Sequence, residues 1–225
     1  MAESSKRFQY LLFDLDGTLT DPKEGITRCV QHALRSFGIE EPDLHKLEAF
    51  IGPPLADSFR EFYGFDEEQI KEAIRVYRER FSTVGLFENK CYLNMDKMLA
   101  ALKLAGKKLA VASSKPTVYV KRILQKFEIE QYFDVIVGSE LDGTRSAKEE
   151  VIEEALRQLC HGEKTDYDKI VMIGDRKFDI QGAKAHGLVS VGVSFGYAAP
   201  GELEQVGADY IVDTVQELEE LLLNK

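Results

Sequence analysis

Residues Tyr10–Pro22 read YLLFDLDGTLTDP. An apolar, aromatic-rich run climbs to Asp14, a second acid follows at Asp16, and Gly17 and Thr18 come next. The run has the character of a buried strand, and Asp-Gly marks its end. Two carboxylates at that end need a physical reason, because an ionised carboxylate resists burial unless something positive compensates it. Either the rest of the chain supplies that positive charge at the same place, or the pair is only a turn.

The chain has 225 residues, room for one large domain or for a domain carrying a smaller insert. It is 44% hydrophobic and 30% charged, an ordinary globular mixture. With 29 basic and 39 acidic residues its net charge is −10, which disfavours nucleic-acid polymers and anionic membranes as partners. A small anionic substrate stays open, since a metal and a few local cations outweigh the global field. Cys29, Cys91 and Cys160 are odd in number and form no CxxC, which disfavours a disulfide framework or a structural zinc site and suits a reducing compartment. The opening MAESSKRFQY has no signal-peptide core, and no apolar run is long enough to span a membrane, so the cytoplasm is expected. His32, His45, His161 and His186 are scattered and read as solvated or capping residues.

Working outward from Tyr10, a strand is expected over 8–15. From about Lys23 to Arg80 the spacing turns helical. Ile26, Val30, Ala33, Leu34 and Phe37 form one stripe closed by Gly38, and further helices are expected over 44–50, 55–63 and 67–81, with Gly52-Pro53-Pro54 as a break. After Cys91 the texture alternates. Helices are expected over 95–105, 117–127, 148–159, 180–186 and 215–223, and strands over 108–112, 135–137, 170–173, 189–193 and 210–212. Such alternation argues for an α/β fold, a Rossmann-like parallel sheet with helices on both faces. The first strand belongs to that sheet, so the helical block is an insertion. The expected division is a core of residues 1–20 and 84–225 and an all-helical cap of residues 21–83.

Ligands of open parallel sheets sit outside the carboxyl ends of the strands. Those ends carry Asp14-Leu15-Asp16-Gly17-Thr18, then Ser113-Ser114-Lys115-Pro116, then Gly138-Ser139-Glu140, and then Gly174-Asp175-Arg176-Lys177-Phe178-Asp179, while Lys148 opens the helix after the third. Each alone reads as a turn, a helix cap or a solvated lysine; together they compose a reaction centre. Asp14, Asp175 and Asp179 are hard oxygen donors suited to Mg²⁺, and the last two are four apart, on one face of a helical turn. Mg²⁺ and Lys148 would let Asp14 stay ionised and attack phosphorus, forming an aspartyl-phosphate. Asp16 would give a proton to the leaving oxygen and later take one from water. Ser113 and nearby backbone N–H groups would hold the phosphoryl oxygens.

The chain resembles the haloacid dehalogenase superfamily of phosphatases. The motifs stand as DLDGT (Asp14–Thr18), VASSKP (Val111–Pro116), Lys148 in RSAKEEVI and GDRKFD (Gly174–Asp179). TDPKEGI, IGPPL, GDRKFDIQGAKAHG and GYAAPGELEQVGADYIV are similar to stretches of its phosphoglycolate phosphatase-like and 5′-nucleotidase-like branch. The resemblance implies Asp14 as nucleophile and metal ligand, and Asp16 as acid/base whose backbone carbonyl also reaches the metal. It implies Ser113, with Ser114 second to it, and Thr18 around the phosphate and first loop, Lys148 as the motif lysine, and Asp175 and Asp179 as metal ligands. Two departures stand out. Tyr92-Leu93-Asn94 replaces a Tyr-x-Gly turn, with Asn able to take the left-handed conformation. Glu149 replaces the proline usual after the lysine, which leaves Lys115 as the alternative to Lys148.

The expected activity is therefore Mg²⁺-dependent hydrolysis of a small phosphomonoester, phosphoglycolate or a nucleoside 5′-monophosphate, by a monomer or homodimer. A phosphomutase of the same fold and a phospho-aspartate signalling module are the alternatives. An acid at Asp16 argues for an alkoxide leaving group, and a receiver module would not carry both acids on one strand or a helical insert. Within the insert, Gly52-Pro53-Pro54 is a candidate loop facing the catalytic centre. Lys23, Arg28 and Arg60 are candidate substrate cations that read more readily as solvated. The terminal stretch VQELEELLLNK reads as a core-packing helix.

Overall fold

In the computed structural model, which describes residues 8–160 and 166–224, the central strands of the sheet, over 11–13 and 170–174, are buried on both faces. His161 and residues 1–7 lie outside the described part. The elements run β1 (Tyr10–Phe13), β2 (Thr20–Asp21), α1 (Lys23–Arg35), α2 (Leu55–Tyr63), α3 (Glu67–Phe81), β3 (Lys90–Cys91), α4 (Met95–Leu104), β4 (Lys108–Pro116), α5 (Thr117–Lys126), β5 (Val135–Ser139), α6 (Lys148–Leu159), β6 (Ile170–Gly174), α7 (Lys177–Ala185), β7 (Val189–Val193), α8 (Glu202–Gln205), β8 (Tyr210–Val212) and α9 (Val215–Leu223).

β1 shows why its sequence is continuously apolar. Leu11, Leu12 and Phe13 are all fully buried, because helices cover both sheet faces. Side chains alternate, so Leu11 and Phe13 join Val111, Val171 and Ile173 in one core, and Leu12 joins Ala110, Ala112 and Met172 in the other. The six strands lie in the order β5-β4-β1-β6-β7-β8, all parallel. From β1 the chain first winds outward through β4 and β5, then returns to β6 on the other side and winds through β7 and β8. The direction reverses between β1 and β6, and a crevice opens at such a switch point. Phe13 is level with Val111 of β4 and Ile173 of β6. Asp14 therefore leaves the sheet at the switch point, flanked by the ends of β4 and β6.

The helical insert follows β1. Its α1 packs against α3 and a 3-10 helix, Leu44–Phe50, through Cys29, Val30, Ala33 and Leu34, all fully buried. α3 starts at a capping box in which the Asp66 carboxylate accepts from the Gln69 backbone N–H and the Gln69 side chain accepts from Asp66 N–H. The chain's two crossings between sheet and insert run side by side as the antiparallel pair β2–β3, with Thr20 opposite Cys91 and Asp21 opposite Lys90.

Several boundaries differ from the sequence reading for local reasons. The stretch over 44–50 is 3-10 rather than α, opened by the Asp43 carboxylate accepting from His45 N–H. β4 continues four residues past the expected Ala112, through the serines and Lys115 to Pro116. α7 begins at Lys177 rather than Ile180. β2, β3 and α8 are too short to show periodicity and were not foreseen. Asn94 does take the left-handed conformation, φ 65°, at the start of α4. α9 buries Leu218 and Leu222 and packs on α4. Among the described residues no helix is long and apolar enough to cross a membrane.

Gly25 ties α1 to the returning chain. Its N–H donates to Glu88 O at 2.9 Å, and a Cβ there would lie 2.1 Å from Gly85 O and 2.8 Å from Glu88 O, both backbone atoms with little freedom to move. Gly25→Ala is expected to destabilise the protein by about 1–3 kcal/mol through this overpacking, read from urea unfolding midpoints. An unchanged midpoint would show that the insert's base is looser than this contact implies.

Candidate active site

Asp14 is held by its own backbone, with its N–H donating to Ile173 O of β6 at 2.9 Å. Its neighbours come from two glycine-dependent turns. Gly17, φ +83°, lies so close to Asp175 that a Cβ would sit 2.1 Å from Asp175 Oδ2. Gly174 does the same for Asp179, whose Cγ would be 2.1 Å from a Cβ. Larger residues at either position would displace an acid, so the glycines of DLDGT and GDRKFD set the spacing of the carboxylates.

Three carboxylates converge. One oxygen each from Asp14, Asp175 and Asp179 lies within 4.8 Å of the others, and all three residues are buried. Into this cluster comes Lys148, the first residue of α6, 7% exposed. A cation is poorly placed at a helix N-terminus, so its position needs compensation. Nζ donates to Ala112 O at 3.1 Å and lies 2.9 Å from Asp14 Oδ1 and 2.8 Å from Asp179 Oδ1. Burial works against the ammonium, but Asp14 and Asp179 outweigh it and raise its pKa above the ordinary lysine value. Lys148 is therefore a fixed positive charge.

One ammonium does not balance three carboxylates. Burial, then Asp179 and Asp14, push Asp175 well above the usual carboxylate range, against the Tyr197 N–H that donates to its Oδ2 at 2.8 Å. Burial also raises Asp179, with Lys148 opposing. Asp14 Oδ1 and Asp179 Oδ1 are at ion-pair distance from Lys148 but outside hydrogen-bonding angles, which leaves them without a hydrogen-bond partner. Three buried carboxylates around one ammonium, two of them with an oxygen that accepts no hydrogen bond, are hard donors that fit a divalent cation such as Mg²⁺.

Asp16 stands apart from that trio. Its Oδ2 is 2.5 Å from Lys115 Nζ, and that ammonium also lies 4.7 Å over the Phe81 ring of α3. Burial raises its pKa, Lys115 opposes, and Asp14 adds to the rise. The two acids of D-x-D thus face different partners, Asp14 toward Lys148 and Asp16 toward Lys115. The sequence reading offered Lys115 only as a replacement for Lys148, whereas the structure gives each lysine its own carboxylate. The signal lay in the VASSKP motif itself, once β4 is extended to Pro116.

The other named residues are placed as follows. Ser113 is buried, and its Oγ accepts from Lys115 N–H at 3.4 Å. Ser114 is half-buried beside Asp16, its carbonyl accepting from Ser139 Oγ at 2.7 Å. Thr18 is fully buried and donates to Asp175 Oδ1 at 3.3 Å, which orients that acid. Gly52, Pro53 and Pro54 line a chamber that opens beside Asp16. Lys23, Arg28 and Arg60 are not in it; they pair with Glu48, Glu24, and Asp57 with Glu67, respectively. Sequence reasoning passed over Arg176, whose Nη1 donates to Ile51 O at 2.6 Å and so links the turn after β6 to the insert. It also passed over Tyr197, whose hydroxyl donates to Asp21.

The fold and this site define a hydrolase-type α/β enzyme, and comparison with known proteins gives the family. The family model for haloacid dehalogenase-like hydrolases matches residues 11–193. A 5′-nucleotidase of Pseudomonas aeruginosa is 48% identical over 90% of this chain and 90% of its own length. The tyrosine-protein kinase PtkA of Mycobacterium tuberculosis is 38% identical over 95% of this chain and 72% of its own. A crystal structure of a predicted phosphatase from Clostridium acetobutylicum superposes with a TM-score of 0.92 at 48% identity, covering 97% of this chain and 99% of that one. The chain belongs to the haloacid dehalogenase-like hydrolases.

If the trio binds Mg²⁺, saturating metal stabilises the folded state. At about 100 times the dissociation constant the gain is roughly 2.7 kcal/mol, or about 5–10 °C in Tm for a chain of this size. Scanning calorimetry with Mg²⁺ and with EDTA is expected to show that shift in the wild type and to lose most of it in Asp175→Asn. Identical melting in both buffers would rule the trio out as a metal site.

Proposed function

We propose that the chain is a Mg²⁺-dependent phosphomonoester hydrolase that works through an aspartyl-phosphate on Asp14. The observation that carries this reading is the separation of roles in D-x-D. Asp14 shares a buried centre with Lys148, Asp175 and Asp179, while Asp16, two residues on, faces Lys115 and an open chamber. A nucleophile must stay ionised and a proton donor must be able to carry a proton. Those needs conflict for two acids in one environment and are compatible in two.

Asp14, Asp175 and Asp179 would hold the metal, which when bound supplies Lewis-acid stabilisation of charge on the phosphoryl oxygens. The remaining work falls to side chains. An Asp14 carboxylate oxygen forms a bond to phosphorus as the ester oxygen leaves, and Asp16 gives that oxygen a proton. Asp16 then takes a proton from a water that attacks phosphorus, which releases phosphate and restores Asp14. Lys148 holds Asp14 in place and balances its charge in both steps. Ser113 and Ser114, at the end of β4, are the residues we assign to the phosphoryl oxygens.

Residues 21–83 are read as a cap that covers the sheet edge formed by 1–20 and 84–225, hinged at the β2–β3 pair. The substrate is a small phosphorylated metabolite, with the nucleoside 5′-monophosphate branch supported by the Pseudomonas relative. The three thiols are free, which supports a reducing compartment, the cytoplasm.

The test is phosphate release with Mg²⁺ from nucleoside 5′-monophosphates, 2-phosphoglycolate, sugar phosphates and an aryl phosphate. Asp14→Asn is expected to release none, and Asp16→Asn to be slowed by roughly 10²–10⁴-fold on alkyl esters. Release that survives Asp14→Asn, or that proceeds equally in EDTA, would sink the mechanism.

A further inference from the structure

The chamber beside Asp16 carries information about the substrate that the catalytic residues do not, and the inference drawn from it rests on the hydrolase reading above. If Asp16 protonates the leaving oxygen, the leaving group lies on Asp16's side of phosphorus, opposite the attacking Asp14. Asp16 is on the chamber wall, so the leaving group enters it.

The wall is apolar and aromatic. Phe50, Tyr77, Phe81 and Tyr119 line it, together with Pro53 and Pro54. Tyr77 stacks on Phe81 with ring centroids 5.3 Å apart, and Phe81 meets Tyr119 edge-on, also at 5.3 Å. These rings come from both sides, α3 of the insert and α5 of the core. Among the described residues the one cation on the wall is Lys115, and it is committed to Asp16 at 2.5 Å and to the Phe81 face. The insert's cations Lys23, Arg28 and Arg60 are ion-paired away from the chamber.

A carboxylate entering this space would lose water, meet Asp16 and find no free cation, a costly combination. A flat ring would lose little and gain aromatic contacts. The cavity is about 90 Å³. An apolar cavity of roughly 150 Å³ takes benzene, so the chamber must widen to admit a ring. We propose that the chamber selects phosphomonoesters whose leaving alcohol carries a flat, uncharged ring and rejects those whose leaving alcohol carries a carboxylate, with Tyr77, Phe81 and Tyr119 as specificity residues. The reaction is the hydrolysis already described: the ester P–O bond breaks, the alcohol leaves with a proton, and water supplies the oxygen of the released phosphate.

The experiment compares kcat/KM of the full chain with Mg²⁺ on benzyl phosphate, n-propyl phosphate, adenosine 5′-monophosphate and 2-phosphoglycolate, all esters of alkyl alcohols. Benzyl phosphate and the nucleotide are expected to exceed 2-phosphoglycolate by about 100-fold or more, and benzyl to exceed propyl by about 10-fold. Phe81→Leu and Tyr119→Leu, checked for folding by circular dichroism, are expected to cut the benzyl-to-propyl ratio several-fold. Leu55→Arg, on the chamber rim, places a free cation there and is expected to raise 2-phosphoglycolate hydrolysis relative to benzyl phosphate, independently of whether the aromatic variants fold. Wild-type preference for 2-phosphoglycolate, with release still dependent on Asp14, would overturn this inference alone. No release from any ester by a folded protein would take down the hydrolase reading and this inference with it.

Discussion

The rest of the site depends on one buried ammonium. Lys148 sits at the start of α6, where the helix dipole disfavours it, and lies within 3 Å of both Asp14 and Asp179. Without it, three buried carboxylates would face one another with no cation among them, a costly arrangement. With it, they retain a surplus of negative charge that suits a divalent cation. The arrangement is poorly stabilised by itself, which is the usual condition of a site built for binding and chemistry rather than for folding.

The sheet topology is what brings these groups together. β1 lies between β4 and β6 in the sheet, although β4 and β6 are far from it in the chain. Asp14, the VASSKP motif and the GDRKFD motif therefore converge from three adjacent strand ends without any long excursion. β1 ends at Phe13, so Asp14 and Asp16 lie in the turn beyond it, and there they reach different partners, Lys148 and Lys115. Asp16 and Lys115 then lie under the insert, with Phe81 stacked on the ammonium, so the chemistry of the core and the aromatic wall of the insert share a residue. Arg176 makes a second tie, from the turn that carries Asp175 to the backbone of Ile51. Movement of the insert would be felt at both acids.

Much of this was legible in the residues. Strand runs and strand-end motifs are local signals, and β1, β4, β5, β6 and β7 are found where apolar runs end in polar residues. Helix α1 was readable from its stripe, and α3 from its length and periodicity. The elements that were missed are those with too few residues to show a period, β2, β3 and α8. The 3-10 character of 44–50 was missed because apolar spacing does not distinguish it from a short α-helix. At the site, the carboxylates and Lys148 were named from the sequence because their residue types are chemically specific. The Lys115–Asp16 pair, the Thr18–Asp175 bond and the Arg176 tie were not, because each joins side chains whose meeting depends on how strand ends are stacked.

The sequence by itself determined the parallel α/β architecture, the helical insertion after the first strand and the set of acids and lysines available for chemistry, since apolar periodicity and residue type are properties of short segments. Only the tertiary structure decided which lysine faces which acid, because Lys115 and Lys148 differ in their position relative to β1 and not in their chemistry. It also decided that Arg28 and Arg60 of the insert pair with acids on the insert's own surface, while Tyr77 and Phe81 line the chamber that Asp16 also lines. Burial and charge pairing are properties of the packed whole, and no stretch of chain carries them alone.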